Sequence, residues 1–517
     1  MPLLKTESYK KGIVYSTLLN VISKGLVFVN SLIVAFYFGT QLKTDIYFYI
    51  YNTIVILSAF ITSLNASVLI PESMRIRTLE GEKEANSFLN AFIYGYIAFT
   101  LILCLIFLAD PVHAFGTISS FEMQAIENEK MILLLSVPLI IMMPLVNLLT
   151  DIMTSYKYFT MPMIAAIING VFSISFVVLF HNTLDVKSLL VGLVLSYTVN
   201  LFLLVSLMIR KLSWNFRFTW VNIEKRIWKN IGFAQLGNIT SSLSTYAPLY
   251  LLSSFSAGII TSLNFAQQIS SLPTHLITVQ FSSVAGIKFN EQYVQGNYQE
   301  LNKTFISTAG FLLFVLVPVS GILFLFPKEI VSILFQRGAF GDQGVAETAL
   351  FLKYLGFLAP LWVINLLSSR LFMAAHKIKE SFWYQAISNI GLIVVLYFAV
   401  KEMGVIGYPL AVVGVHLVKM VLFFFMEKVY LGIIQYKTLL VSFLKIIILN
   451  IIIAFVMYAV KAWLGRYAIS NIFQLGIGGI IYGLLVFWGG IKFRINEAFN
   501  MVIAQWLSVI FKQRRPR

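Results

Sequence analysis

Apolar runs long enough to cross a bilayer recur along the whole chain and are parted by short, charged loops. Runs of roughly 20 apolar residues, the length a transmembrane helix needs, fall at 12–38, 46–70, 86–108, 131–153, 161–181, 188–209, 229–254, 259–285, 303–326, 348–371, 381–400, 405–426, 437–461 and 472–492. This pattern predicts an all-α polytopic membrane protein with about 14 transmembrane helices. The longest loops, at 109–130, 210–228 and 327–347, leave no room for a soluble catalytic domain.

The pattern also repeats. Phe38-Gly39-Thr40, Thr44-Asp45 and Phe48 lie over Phe255-Ser256-Ala257, Thr261-Ser262 and Phe265. Gly81, Glu84 and Phe88 lie over Gly296, Gln299 and Phe305, and Pro144-Leu145 with Asn147 over Pro360-Leu361 with Asn365. The shared spacing predicts two six-helix repeats, the construction of many secondary transporters. The expected organisation is an N-terminal six-helix lobe over 1–211, an interfacial cytoplasmic linker over 212–228, a C-terminal six-helix lobe over 229–428, and two additional helices with a basic tail over 429–517. Within the linker, aromatic and basic residues alternate from Trp214 to Lys229, which suits a helix lying at the membrane surface.

Polar residues inside hydrocarbon are costly, so their placement carries information. In the eighth span Asn264, Gln267, Gln268, Ser271, Thr274, His275, Thr278 and Ser282 recur every three or four residues, on one helical face. The seventh span carries Gln235, Asn238, Ser241, Ser242 and Thr245; the first carries Asn20, Ser23, Lys24, Asn30 and Ser31; the second carries Asn52, Ser58, Thr62 and Asn65. These spans open the two repeats, so the four stripes are expected to line a water-filled cavity that binds substrate. The bland alternative for any one hydroxyl is a bond to its own backbone or to a neighbouring helix. Pro273 is expected to kink the eighth span.

Lys24 is the sharpest single position, some twelve residues into its span and so roughly 18 Å from either end. It is expected either to contact an anionic headgroup or to snorkel to an interface. Asp151 shares a face with Asn147 and Thr150; His416, Lys419 and Lys445 sit in later spans without an evident pairing. The run Gly476, Gly478, Gly479, Gly483 predicts close helix packing, and Cys104, the only cysteine, predicts packing in the third span.

Composition agrees: 59% of residues are hydrophobic and 12% charged, with mean hydropathy +0.85. The net charge of +16 gains a cause once sidedness is considered. With a cytoplasmic amino terminus, most of the Lys and Arg fall in loops and ends on the cytoplasmic side, so both termini are expected there and nucleic-acid binding is not implied. The tail residues Lys512, Arg514, Arg515 and Arg517 suit a lipid-headgroup anchor. The first apolar run is long, follows Lys10-Lys11 and ends without a small-residue cleavage pattern, which predicts a membrane span and not a cleaved leader. The sequence holds no phosphate-binding loop, metal-ligand cluster or nucleophilic triad spacing. The expectation is therefore a non-enzyme with no cofactor, its metal requirement unknown, driven by an ion gradient, the membrane potential or the substrate gradient.

Leu334-Phe335-Gln336-Arg337-Gly338-Ala339-Phe340 resembles the LFxRGAF element of the MurJ/MviN family of lipid II flippases. Leu69-Ile70-Pro71 followed by Arg75, Gly81, Glu84 and Phe88 is similar to that family too, as is Ser262-Leu263-Asn264-Phe265-Ala266 with Leu272-Pro273. The resemblance implies two six-helix lobes with two extra helices that form a groove for a lipid tail. It also implies that an undecaprenyl-diphosphate-linked saccharide is turned from the inner to the outer leaflet by alternating access, with the peptidoglycan precursor lipid II as cargo. Family members carry basic residues at several cavity positions; here the first is matched by Lys24, while the others are Asn30, Ser58 and Gln268. The alternative expectation is a flippase for another lipid-linked oligosaccharide in surface polysaccharide export. A drug exporter of the wider superfamily fits the repeats but not the two extra helices. Lys24, Asn30, Asn52, Gln235, Asn238, Asn264, Gln267, Gln268, Ser271 and His275 are the candidate substrate-binding residues. Expected partners are the lipid-linked saccharide, membrane lipids and a coupling cation, for a monomer in the bacterial cytoplasmic (inner) membrane.

Overall fold

The computed structural model describes residues 9–464, 470–493 and 495, and its regular structure is helical throughout. The first ten helices are α1 (Tyr9–Phe38), α2 (Leu42–Leu64), α3 (Ile70–Leu79), α4 (Glu82–Ala109), α5 (Pro111–Thr117), α6 (Met123–Asn128), α7 (Lys130–Ser155), α8 (Met161–Leu184), α9 (Lys187–Leu212) and α10 (Lys225–Leu252). They are followed by α11 (Ile259–Pro273), α12 (Val279–Val294), α13 (Tyr298–Leu325), α14 (Pro327–Phe335), α15 (Asp342–Leu355), α16 (Leu358–Ala374), α17 (Ile378–Met403), α18 (Gly407–Tyr430), α19 (Tyr436–Leu464) and α20 (Asn471–Lys492). Lipid offers no hydrogen bonds, so a spanning backbone must satisfy itself, which helices do. The basic tail residues Lys512 to Arg517 lie outside the described residues.

Ten described helices are long and apolar enough to cross a membrane, or eleven with the bent pair α15 and α16 counted as one span. The difference from fourteen has a physical cause. The segments 229–254 and 259–285 are helical, but the polar stripes that mark them also lower their hydropathy, and 381–400 and 405–426 run on as a single apolar stretch, Lys379–Tyr430.

The chain divides into two compact units, the first reaching Thr261 and including Arg337–Gly344, the second holding Ser262–Gln336 and the chain from Val345 onward. In the first unit α7 is the central helix: 67% of its spanning window is buried and it packs against α2, α4, α8 and α9. In this division α10 falls with the first unit, because it lies along α2. In the second unit α13 plays the corresponding part against α12, α16 and α19. The last two helices are pinned to each other, where Tyr482 donates to Asn450 Oδ1 at 2.9 Å, and to α13 and α14, where Lys461 Nζ reaches the Leu325 carbonyl at 2.6 Å and Glu329 Oε1 at 2.8 Å. In the glycine run, only Gly478 makes a close approach, where a Cβ would stand 2.5 Å from the Phe326 ring; Gly476, Gly479 and Gly483 have open space there. Cys104 is buried and its Sγ lies 3.6 Å from the Val137 carbonyl, as a packing residue.

The segment after α9 corrects the expected interfacial helix. Residues 213–224 are not helical. Trp214, Phe216, Phe218 and Trp220 recur with period two, the spacing of an extended chain that lays alternate side chains on one surface. Asn90 on α4 fixes this strap: its amide donates to the carbonyls of Asn215 at 2.7 Å and Arg217 at 3.1 Å, and its Oδ1 accepts from the Trp214 indole at 2.9 Å. Tyr94 donates to the Phe216 carbonyl at 2.5 Å. These bonds replace those a helix would make. Asn90→Ala removes three of them from a buried site, an expected loss of about 1–3 kcal/mol; limited proteolysis should then cut within 213–224 faster than in the parent. Equal cutting rates would show that the aromatic contacts alone hold the strap.

Candidate functional site

The repeated motif at the start of α2 forms a close contact within the first unit. Asp45, 2% exposed, accepts from the Gly258 N–H at 2.6 Å, the Thr261 N–H at 2.7 Å and the Thr261 hydroxyl at 2.5 Å. A carboxylate over the free N–H groups that open α11 is well placed, since those groups carry the positive end of the helix dipole. Thr44-Asp45 and Thr261-Ser262 are the two copies of one sequence motif, so the first copy caps the helix that carries the second. The cap is visible in sequence only as that repetition.

Arg337–Gly344 carries the Arg-Gly-Ala-Phe element and seats it on the end of α1. Ala339 N–H donates to the Phe36 carbonyl at 2.8 Å. Gly338 and Gly39 both have positive φ, +60° and +57°; a Cβ on Gly338 would overlap the Phe36 carbonyl oxygen, and one on Gly39 the Ala339 carbonyl oxygen. Only glycine allows two backbones this close in that conformation.

The candidate binding residues of the first unit fall into two groups. Lys24 is half-buried on α1, and among the described residues no side chain or carbonyl hydrogen-bonds or ion-pairs with its ammonium. Asn52 on α2 likewise has none among them. The others are engaged by protein. Asn30 Oδ1 accepts from Ser173 of α8 at 3.1 Å, Gln235 Nε2 donates to the Phe60 carbonyl at 3.2 Å, and Asn238 Nδ2 donates to Ser63 at 2.7 Å. Gln235 and Asn238 therefore stitch α10 to α2. Ser23, Ser31 and Thr62 donate to carbonyls of their own helices, the bland reading of such hydroxyls.

The lower part of the α2 stripe turns into the unit instead. Asn147 donates to Ser58 at 3.3 Å, and Asn65, fully buried, donates to Asp151 Oδ2 at 2.7 Å while accepting from Tyr96 at 2.8 Å. At the Ser155 end of α7, burial lifts the Tyr156 phenol above its ordinary value against the pull of the Arg77 guanidinium, 3.7 Å over the ring.

In the second unit the amides of α11 are engaged by protein groups. Gln268 Nε2 donates to Asn264 Oδ1 at 3.0 Å, Ser271 donates to the Gln268 carbonyl at 3.3 Å, and the exposed Gln267 donates to Tyr408 at 2.9 Å. His275 is exposed. The stripe does not run on to its end, however: Thr278 and Ser282 are buried. Pro273 is followed by a π turn over Thr274–Thr278, so the helix rotates there and the 3.6-residue count loses its phase. A second π turn, Asn65–Leu69, joins α2 to α3 two residues before Pro71. His416 and Lys419 lie on α18, His416 buried and 5.6 Å from the Trp362 ring, with its Nδ1 2.8 Å from the Val412 carbonyl.

Comparison with known proteins agrees with this architecture. The family model described as "Lipid II flippase MurJ" matches residues 34–477. The probable lipid II flippase MurJ of Buchnera aphidicola subsp. Acyrthosiphon pisum is 27% identical over 387 residues, covering 71% of this chain and 74% of that protein. The probable lipid II flippase MurJ of Borreliella burgdorferi is 23% identical over 509 residues, covering 95% and 98%. Among solved structures, a lipid II flippase MurJ in an inward closed conformation has the same fold with TM-score 0.76 at 21% identity, covering 93% of this chain and 98% of that one. An inward-facing multidrug resistance MATE family transporter follows at TM-score 0.62 and 14% identity, covering 80% and 97%. The chain is a multi-pass membrane protein, and by the extent of the family match it belongs to the lipid II flippase MurJ family.

Proposed function

We propose that this protein turns an undecaprenyl-diphosphate-linked saccharide from the inner to the outer leaflet of the bacterial cytoplasmic membrane by alternating access, and that its cargo is lipid II. Membership of the MurJ family supports the reaction class. The observation that carries the chemistry is Lys24, a cation deep in an apolar helix with no partner among the described residues. A diphosphate is the partner such a cation lacks. Asn52 and the amides of α11, Asn264, Gln267 and Gln268, offer the donors and acceptors that a sugar takes. With Asn30, Gln235, Asn238, Ser271 and His275 they make up the proposed binding set. Both termini are assigned to the cytoplasm from the charge bias, and the working unit is the monomer, acting as a transporter without catalysing a reaction.

A second cargo is favoured by one observation. Three positions where the family resemblance implies cations are Asn30, Ser58 and Gln268 here, and Ser58 is buried against α7. A different lipid-linked glycan, exported for a surface polysaccharide, suits this less cationic set. Depleting the protein in its host and identifying the accumulated polyprenyl-linked intermediates by mass spectrometry separates the two. Accumulated lipid II with failing wall synthesis is the expected result; an intact wall with another lipid-linked glycan trapped would transfer the assignment to polysaccharide export.

A further inference from the structure

Inside the first unit a cavity of about 330 Å³ is lined by Thr62 of α2, Asn147, Thr150 and Asp151 of α7, Asn169 of α8 and Tyr197 of α9. Its one ionisable acid is Asp151, four residues from the end of α7. None of the ion pairs between described residues includes it; its hydrogen-bond partner is the neutral amide of Asn65, at 2.7 Å. A carboxylate held in a membrane domain against neutral groups is expensive unless a cation joins it.

The surroundings supply oxygens and withhold a protein cation. Thr150 and Thr62 donate their hydroxyl hydrogens to the Val146 and Ser58 carbonyls, which leaves oxygen lone pairs for a ligand. The helices packed against α7 bring few other titratable groups here, and on α5 the exposed His113 is paired with Asp110 at 2.7 Å. From α4 comes Tyr96, bonded to Asn65 Oδ1; from α9, Tyr197; from α3, Arg77, which is committed to Ser155 at 3.2 Å and to the Tyr156 ring. The cavity wall from α8, Pro162, Ala165, Ala166 and Asn169, is neutral. Hard oxygen donors around one negative charge select a small hard cation over a soft metal.

We propose that the Asp151 cavity is a binding site for a small monovalent cation, sodium or a proton, and that its occupancy is felt by the substrate-binding residues of α10. The proposal rests on the transport reading only for the use made of the bound ion. The route is short. Asp151 holds Asn65, which opens the π turn after α2; two residues earlier Ser63 accepts from Asn238 and donates to Gln235 Oε1 at 3.4 Å. Neutralising Asp151 weakens a charge-assisted bond at the point where this helix changes pitch, and so loosens the seam that presents Gln235 and Asn238.

The test is ion binding by the purified full-length protein in lipid nanodiscs, read as its thermal unfolding midpoint, which requires no transport. A ligand that binds the folded state raises the midpoint by mass action. Replacing choline chloride with sodium chloride at fixed pH should raise it by roughly 2 °C or more if sodium is the ligand. Lowering the pH from 8.5 to 5.5 in choline should do so if the proton is. Asp151→Asn, nearly the same shape and able to accept from Asn65, should respond to neither. A parent midpoint indifferent to both ions overturns the site, and so does a response that survives in Asp151→Asn. If that variant does not fold, Asn65→Ser, which keeps the carboxylate and drops its donor, should shift the half-maximal ion concentration about threefold or more; no shift would equally overturn the proposal. If the parent binds the ion but moves no lipid-linked saccharide, the site stands and the transport reading fails.

Discussion

Gly338→Ala is expected to yield little folded protein. Gly338 has φ +60°, and its missing side chain faces the Phe36 carbonyl oxygen, which accepts from the next residue along, Ala339, at 2.8 Å. An alanine there meets two costs together. The left-handed backbone costs an L-residue about 1–2 kcal/mol, and the overlap requires one of two packed backbones to move, at about 1–3 kcal/mol more. The Ala339 bond cannot survive that movement unaltered, and Gly39 opposite has no slack, since its own Cβ position is filled by the Ala339 carbonyl. Folded yield by fluorescence-detected size exclusion, and the unfolding midpoint of what remains, should both fall well below the parent. Gly341→Ala, three residues on, has open space and should behave as the parent. Matching midpoints for the two variants would mean that Arg337–Gly344 is not seated on α1.

The second large effect falls on transport, with stability unchanged. Lys24→Ala should reduce translocation of the lipid-linked saccharide roughly tenfold or more, the worth of one charge-assisted contact. Because no described protein group holds the ammonium, its removal takes nothing from the fold; deleting an unpaired charge from an apolar helix should leave the unfolding midpoint equal to the parent's or above it. Lys24→Arg keeps the cation and should retain most activity, while Lys24→Gln, similar in length but neutral, should follow alanine. A midpoint that drops with the activity would place Lys24 among the packing residues, and full activity in Lys24→Ala would remove it from the binding set.

Much of the architecture was legible because a membrane narrows what a backbone can do. Long apolar runs must be helices, so the segments from 12–38 to 472–492 stand out; α10 and α11 are helical where spans are expected, but their polar stripes keep them out of the ten helices apolar enough to cross a membrane. Two other features were hidden for different reasons. The strap over 213–224 advertised itself by a period of two, but alternating basic residues drew attention to the membrane surface, and its anchor, Asn90, is 124 residues away from Trp214. Spacing along the fourth span sets Asp151 beside Asn147 and Thr150, while Asn65 falls in the stripe of the second span. Its pairing with Asp151 bridges 86 residues and depends on how α2 rotates against α7, which no count along one helix supplies. Along α11 the 3.6-residue count carries the stripe on to Thr278, which lies buried beyond the π turn that follows Pro273.

A π turn stores one residue more than an α turn, so each of the segments Asn65–Leu69 and Thr274–Thr278 is a natural place for a single-residue gap in an alignment. A homologue one residue shorter there, with a plain α turn in its place, would keep both ends of its helix in place and in phase, while an alignment without the gap would be one residue, about 100° of helix, out of step beyond it. Columns aligned straight through would then match a side chain that faces its own lobe's interior with one that faces outward, and apparent losses of polar residues beyond such a turn are best counted again after the gap is moved.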